Sequence, residues 1–265
     1  MKSPTVINPS KEDVPSLKKL WKDVFKDTDD YIELFFSVKY KAENTFIIKE
    51  DGEIASMFFA EPNTIVAGKE NLKGVYLCGL ATREDKRGKG YAKILTEYAT
   101  SFFDADIYFL IPANQELFSF YDGLGFKPFT YLTKVEIKKE QAEEIPGFSN
   151  EFSYETLNGF YENSDNGLFV KREFSDFKAI YDCYKNFMIF DNGYIIYYIG
   201  ENILHIIEYT LPYQDACKVG SYLISQKGLL KGYILKKYGD TPFVAYKSHL
   251  DLSDIENKYI NLMLN

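Results

Sequence analysis

The chain has 265 residues, 46% of them hydrophobic and 17% aromatic, enough apolar material for one large core or, more comfortably, two. Its 39 acidic and 31 basic residues leave a formal net charge of -8, which argues against nucleic acid as the main partner and mildly favours cationic substrates. No apolar run has the length of a membrane span, residues 1–6 lack the apolar stretch of a secretory signal, and Cys78, Cys183 and Cys217 stand apart as reduced thiols; a cytoplasmic location without a membrane partner is expected.

In chain order, Ser10 and Asp13 make a capping-box pair that opens a helix, with Leu17, Leu20, Trp21, Val24 and Phe25 on its buried face. A second helix is predicted over 29–38, with Tyr31, Leu34 and Phe35 inward. Strands over 45–49 and 54–62 flank an Asp51-Gly52 hairpin turn. Strands over 64–67 and 75–81 flank the turn Gly68-Lys69-Glu70-Asn71, and Gly79 reads as a bulge. Ala92, Leu95, Tyr98, Ala99 and Phe102 recur at helical spacing. The apolar run 107–111 suits a strand covered on both faces, in parallel with the one before the helix, and the two are expected to splay apart. A short helix closed by glycine follows within 115–126, and 129–137 alternates as the strand that completes the sheet.

The charged stretch 138–146 ends in Pro146-Gly147 and reads as a linker, so domains are expected at 1–140 and 150–265. Beyond it a helix is predicted over 176–190, a turn at Asp191-Asn192-Gly193, a hairpin of strands 194–199 and 203–210, a helix over 213–225, and strands over 231–237 and 243–247.

The segment Arg87-Gly88-Lys89-Gly90-Tyr91-Ala92, between a strand and a helix, carries the most chemistry. Glycine lets the backbone approach a ligand, and the unpaired amides and dipole of a helix start favour an anion. Arg83, Lys86, Arg87, Lys89 and Lys93 gather positive charge in an acidic chain, which points to a polyanionic group. A P-loop would need Ser or Thr after Gly88-Lys89, where Gly90 stands; a dinucleotide fingerprint would need glycine where Lys93 stands. The remaining pattern, Arg-x-x-Gly-x-Ala, resembles the pyrophosphate loop of the GNAT acetyltransferases. The run Asn114–Phe126, NQELFSFYDGLGF, is similar to the GNAT segment after the fifth strand, and FLIPANQELFSFY looks like the enhanced-intracellular-survival members of that family.

That resemblance implies an α/β fold, an α+β mixed sheet, with an N-terminal GNAT domain. The second half is either a degenerate GNAT-like α+β domain or an unrelated one. The loop before its 213–225 helix, Leu211-Pro212-Tyr213-Gln214-Asp215, has neither glycine nor base, so it would not hold pyrophosphate. The resemblance also implies acetyl-CoA as co-substrate, a small-molecule amine or a peptide as acceptor, and direct attack in a ternary complex. The backbone of Leu80, Ala81 and Thr82 would pair with the pantetheine arm, amides of Arg87 through Ala92 would hold the diphosphate, and Asn114 would bond the pantetheine or cap the short helix. Tyr121 falls where GNATs place the tyrosine that protonates the leaving sulfur; by spacing alone it joins Leu117 and Leu124 in the core. Strand 75–81 holds no carboxylate, which leaves Glu61, Asp29, Asp30, the Asn265 terminal carboxylate or a water chain as the base. An aminoacyl or fatty-acyl transferase and a non-catalytic acyl-CoA-binding module are the competing functions. With His205 and His249 on different segments, neither a metal site nor a Ser-His-Asp triad is expected.

Overall fold

Residues 4–139 and 144–262 are described by the structure, a computed structural model. Contacts divide the chain into two units, one running to Phe129 and taking back Phe243–Asp254, the other holding Thr130–Pro242 and the residues from Ile255.

The first unit opens with β1 (Val6–Ile7) and the Ser10–Asp13 capping box, in which the Ser10 amide donates to the Asp13 carboxylate at 2.9 Å. A single 3-10 turn then feeds α1 (Val14–Phe25). Thr28 caps α2 (Asp29–Val38) by accepting from the Tyr31 amide at 3.3 Å. The inward face of α2 is Ile32, Phe35 and Phe36, while Tyr31 and Leu34 are half-buried; the expected face is rotated by about one residue. The rotation follows from Trp21, whose ring lies 4.4 Å from that of Phe35 and 6.2 Å from that of Phe36. Aromatic residues on two adjacent faces of α2 give the spacing two answers, and the tryptophan selects between them.

Strands β2 (Thr45–Glu50), β3 (Glu53–Ala67) and β4 (Glu70–Thr82) pair antiparallel. The β2–β3 turn has Asp51 and Gly52 both at positive φ (54° and 84°), the pairing that matches strand twist in a two-residue hairpin. The break expected near Asn63 is absent, since Pro62 pairs with Val75 and Asn63 with Gly74 in an unbroken ladder. Helix α3 (Tyr91–Phe102) then crosses to β5 (Ile107–Leu110), parallel to β4, and α4 (Glu116–Asp122) follows. One core packs α1 and α2 on Phe59 and Met57; another packs Tyr91, Leu95, Tyr121 and Phe126 on Phe58 and Leu77.

The strand β6 (Lys127–Ile137) does not complete this sheet beside β5. That place belongs to β12 (Thr241–Ser248), antiparallel to β5 with Ala245 opposite Leu110 and Ser248 opposite Ile107. From Leu132 onward β6 instead pairs with β11 (Lys231–Lys237). Alternation identifies each as a strand, but both alternate, and periodicity names no partner.

The second unit contains α5 (Tyr154–Glu162), β7 (Leu168–Val170), α6 (Phe174–Tyr184), β8 (Phe187–Phe190), β9 (Gly193–Gly200), β10 (Ile203–Tyr209) and α7 (Tyr213–Gln226). The helix predicted over 176–190 therefore ends early: Lys185 takes a left-handed cap (φ 56°), and Phe187–Phe190 pairs with β9. Its sheet runs β6-β11-β10-β9-β8. The step β10–α7–β11 is a parallel crossover, the same connection as β4–α3–β5. No helix among the described residues is long and apolar enough to cross a membrane.

Gly79 makes the bulge in β4. Met57 pairs with Ala81 and Phe59 with Cys78, so Gly79 and Leu80 together oppose Phe58. Gly79 sits at φ 59°, and a Cβ there would lie 2.6 Å from Phe59 Cδ2 and 2.8 Å from Trp21 Cζ3. Gly79→Ala is expected to cost about 2–5 kcal/mol, the sum of left-handed strain and overpacking. Denaturant titration measures it, and a loss below about 1 kcal/mol would mean the bulge relaxes freely.

Candidate active site

The bulge ends the parallel pairing. Register between β4 and β5 stops at Tyr76 opposite Phe109, and beyond it the edge of β4 away from β3 has no partner strand among the described residues. The predicted trio lies there, with Leu80 and Thr82 half-buried and Ala81 buried. Ser56 fixes this end of β4: its hydroxyl donates to Ala81 O at 2.8 Å and lies 2.8 Å from Thr82 Oγ1. A bare strand edge presents amides and carbonyls that an extended amide-bearing chain can pair with.

The loop that follows is less basic in effect than its sequence suggests. Arg83 is bound by Glu53 and Asp85. Lys86 and Lys89 both reach Glu50, at 2.9 and 2.6 Å, and these two bonds, Lys89 first, hold the Glu50 carboxyl down at about 2. Lys93 faces Glu97 across 3.8 Å. Arg87 has no carboxylate partner among the described residues; its Nε donates to Thr82 O at 3.4 Å.

The backbone is better disposed. Gly88 and Gly90 lie at φ 77° and 78°, a region that favours glycine, and a Cβ on either would meet nothing within 4 Å. Ile94 is the first α3 residue whose amide finds a carbonyl, Gly90 O at 3.1 Å, and among the described residues the amides from Gly88 to Lys93 have no backbone acceptor. The Arg87 amide, by contrast, is taken up by Glu84 O at 3.3 Å. The Tyr91 side chain is buried and serves the core, and Ala92 is half-buried. The run of unpaired amides therefore begins at Gly88, the residue after Arg87.

Tyr121 projects from α4 into the same unit. Its ring is buried, edge-on to Phe120 at 5.0 Å and to Phe126 at 6.0 Å, and its hydroxyl makes no hydrogen bond to a described residue. Burial, with the neighbouring Cys78 second, pushes the phenol up to about 12. Asn114 does what a cap does: its Oδ1 accepts from the Leu117 amide at 3.1 Å. Thr96 is buried and donates to Ala92 O at 2.8 Å.

The candidate bases separate. Asp29 and Asp30 are exposed on the first turn of α2, where Asp29 pairs with Lys22 at 2.6 Å. Asn265 lies outside the described residues. Glu61 stands opposite Tyr76 on β3, with its side chain 13% exposed and its Oε2 3.2 Å from Lys39 Nζ. The Cys78 thiol donates to Glu61 Oε1 at 3.6 Å. Lys39 and Cys78 escaped the sequence reading because they meet Glu61 only through the α2 fold-back and the β3–β4 register.

The first unit thus holds a mixed sheet split at a bulge, a helix start rimmed by unpaired amides and a buried phenol. Residues 5–129, just under half of the chain, match the acetyltransferase (GNAT) domain. No curated protein matches the sequence. Among solved structures, a conserved protein of unknown function from Enterococcus faecalis V583 aligns with a TM-score of 0.73 at 17% identity, over 93% of this chain and 73% of that one. Eis1 from Mycobacterium abscessus aligns at 0.64 and 9% identity, covering 93% and 73%. A GCN5-related N-acetyltransferase from Kribbella flavida aligns at 0.64 and 9%, covering 93% and 72%. At such identities they show the fold, and the GNAT-like fold extends over nearly the whole chain. The likeness to the enhanced-intracellular-survival enzymes is met by Eis1 among these neighbours.

Proposed function

We propose that this chain is an N-acetyltransferase that moves an acetyl group from acetyl-CoA directly to a primary amine of a small molecule or peptide. The observation that carries the reading is the set of unpaired amides from Gly88 to Lys93, opening beside two glycines that leave the space above them clear. Those amides and the α3 dipole suit a diphosphate, with Arg87 as the nearby cation not claimed by a carboxylate among the described residues. The bare edge at Leu80, Ala81 and Thr82 suits the amide-bearing pantetheine arm. Tyr121 would donate the proton to the departing sulfur. Asn114 is assigned to capping α4, with its amide nitrogen turned to no described acceptor.

Saturating acetyl-CoA is expected to raise the melting temperature, by about 2.7 kcal/mol of stabilisation at a hundredfold excess over Kd. Gly90→Glu should erase that shift, because a side chain at φ 78° is strained and its carboxylate would occupy the anion position. Unchanged melting of the wild type at saturating ligand would overturn the donor assignment.

A further inference from the structure

The second unit holds a cavity of about 230 Å³ beside α7, walled on one side by residues 144–146, in the stretch whose sequence reads as a linker. Its floor is apolar: Phe190, Leu211 and Val219 are buried there, and Ile145 packs against the same core. The wall is held in place. Ser149 and Ile189 exchange backbone hydrogen bonds at 2.8 and 2.9 Å, and the Phe148 ring lies 5.9 Å from that of Phe190. The solvent side of the cavity carries charge of both signs. Glu144 comes from the wall, Asp215 from the first turn of α7, and Lys218 from the turn after it. Asn192, in the β8–β9 turn, adds an amide.

We propose that this cavity binds an α-amino acid with a bulky apolar side chain. A zwitterion answers both signs at once: its ammonium faces Glu144 and Asp215, its carboxylate faces Lys218 and the Asn192 amide, and its side chain covers the apolar floor. A ligand with a single charge leaves the opposite group at the cavity edge to lose water without gaining a partner. The Asp215–Lys218 contact is no obstacle. At 3.7 Å, with the side chains 47% and 61% exposed, it is a weak i,i+3 pair, and both groups can take a stronger partner.

Size and charge narrow the class further. Pockets for drug-sized ligands span about 300–1,000 Å³, so this one takes a smaller molecule. A diphosphate is rejected: the third residue of α7 is Asp215 where α3 has Lys93, and a carboxylate in the first turn repels the anion that a helix start otherwise attracts. Two carboxylates against one lysine serve the ammonium end of the ligand better than its carboxylate end. Removing the ammonium is therefore expected to cost more than removing the carboxylate. The cavity lies wholly within the second unit, and the inference does not rest on the acetyl-donor reading.

The test is calorimetric titration of the full chain, without acetyl-CoA, with L-phenylalanine, 2-phenylethylamine and 3-phenylpropanoate. L-Phenylalanine is expected to bind, the amine at least about tenfold more weakly and the acid more weakly still, since each lacks one charge-assisted contact. Lys218→Met should weaken L-phenylalanine about tenfold and leave the amine unchanged, whereas Asp215→Asn should weaken both. Both side chains are largely exposed, so the variants are expected to fold. Amide hydrogen exchange with saturating L-phenylalanine should slow over residues 144–148 and the first turns of α7 and stay unchanged over 87–94. No heat together with no protection, or protection confined to the first unit, overturns the site. An amine that binds as tightly as L-phenylalanine, or wild-type affinity in Lys218→Met, overturns the amino-acid class. Wild-type affinity in Asp215→Asn overturns the place given to the ammonium.

Discussion

Tyr121→Phe is expected to leave the acetyl-CoA melting shift intact and slow amine acetylation by about 10²- to 10⁴-fold, the span typical of a positioned proton donor. The ring fills its pocket with or without the hydroxyl, since Phe120 and Phe126 contact the ring itself and the hydroxyl bonds no described residue. Binding and folding should therefore be preserved while the proton is lost. Burial first, and Cys78 second, lift the phenol to about 12, so it stays protonated throughout the working range. A thiol is the stronger acid, with a reference value near 8.5, so simple donation from this phenol runs uphill. It proceeds if the N-protonated amide reprotonates the phenolate in the same passage. A donor acyl group on a more acidic thiol needs less help, and the Phe variant should recover on such a substrate. Equal rates for wild type and variant with acetyl-CoA would reduce Tyr121 to a packing residue.

Much of this site could be read from local sequence because its parts are local. Gly88 and Gly90 flank a helix start within one short loop, and the backbone angles they adopt are the ones glycine permits. Gly79 announced its bulge for the same reason, and the Ser10–Asp13 box lies within four residues. What the sequence hid is non-local. Glu50, Glu53 and Asp85 neutralise the basic loop, and two of them come from a hairpin 30 and 39 residues upstream of the bases they bind. Lys39 and Cys78 reach Glu61 from different elements. The replacement of β6 by β12 beside β5 spans more than a hundred residues, and two alternating segments offer no local sign of which one pairs where.

The largest stability effect is expected from a residue no pattern singled out. Glu208 follows the buried positions Leu204 and Ile206 along β10, and a register shift between Ile206 and Glu208 leaves it inward and 1% exposed. Arg172 grips it through two bonds, Nη1 to Oε1 at 2.7 Å and Nη2 to Oε2 at 2.8 Å. The Tyr194 and Tyr259 hydroxyls add donors at 2.9 and 3.1 Å. The guanidinium also donates to Asn261 O at 2.5 Å and lies 4.2 Å from the Tyr161 ring centre. Glu208→Leu strips four donors of their acceptor and leaves Arg172 charged and buried, so a loss of about 3–5 kcal/mol is expected. Arg172→Met/Glu208→Leu should be less damaging than the single change, because the orphan charge is gone, yet still below wild type: two phenols keep no acceptor, at about 1–3 kcal/mol each. The pH dependence has a definite sign. Burial alone would raise the Glu208 carboxyl, but Arg172 outweighs it and the net shift is downward. The stabilisation is then present above the ordinary carboxylate range near 4.3 and is lost as pH falls through the lower folded-state value. Acid titration of the unfolding midpoint should be flatter in Glu208→Leu than in wild type. A double variant no better than the single, or identical acid slopes, would mean that packing alone, and not the charge pair, binds Tyr259 and Asn261 to β10.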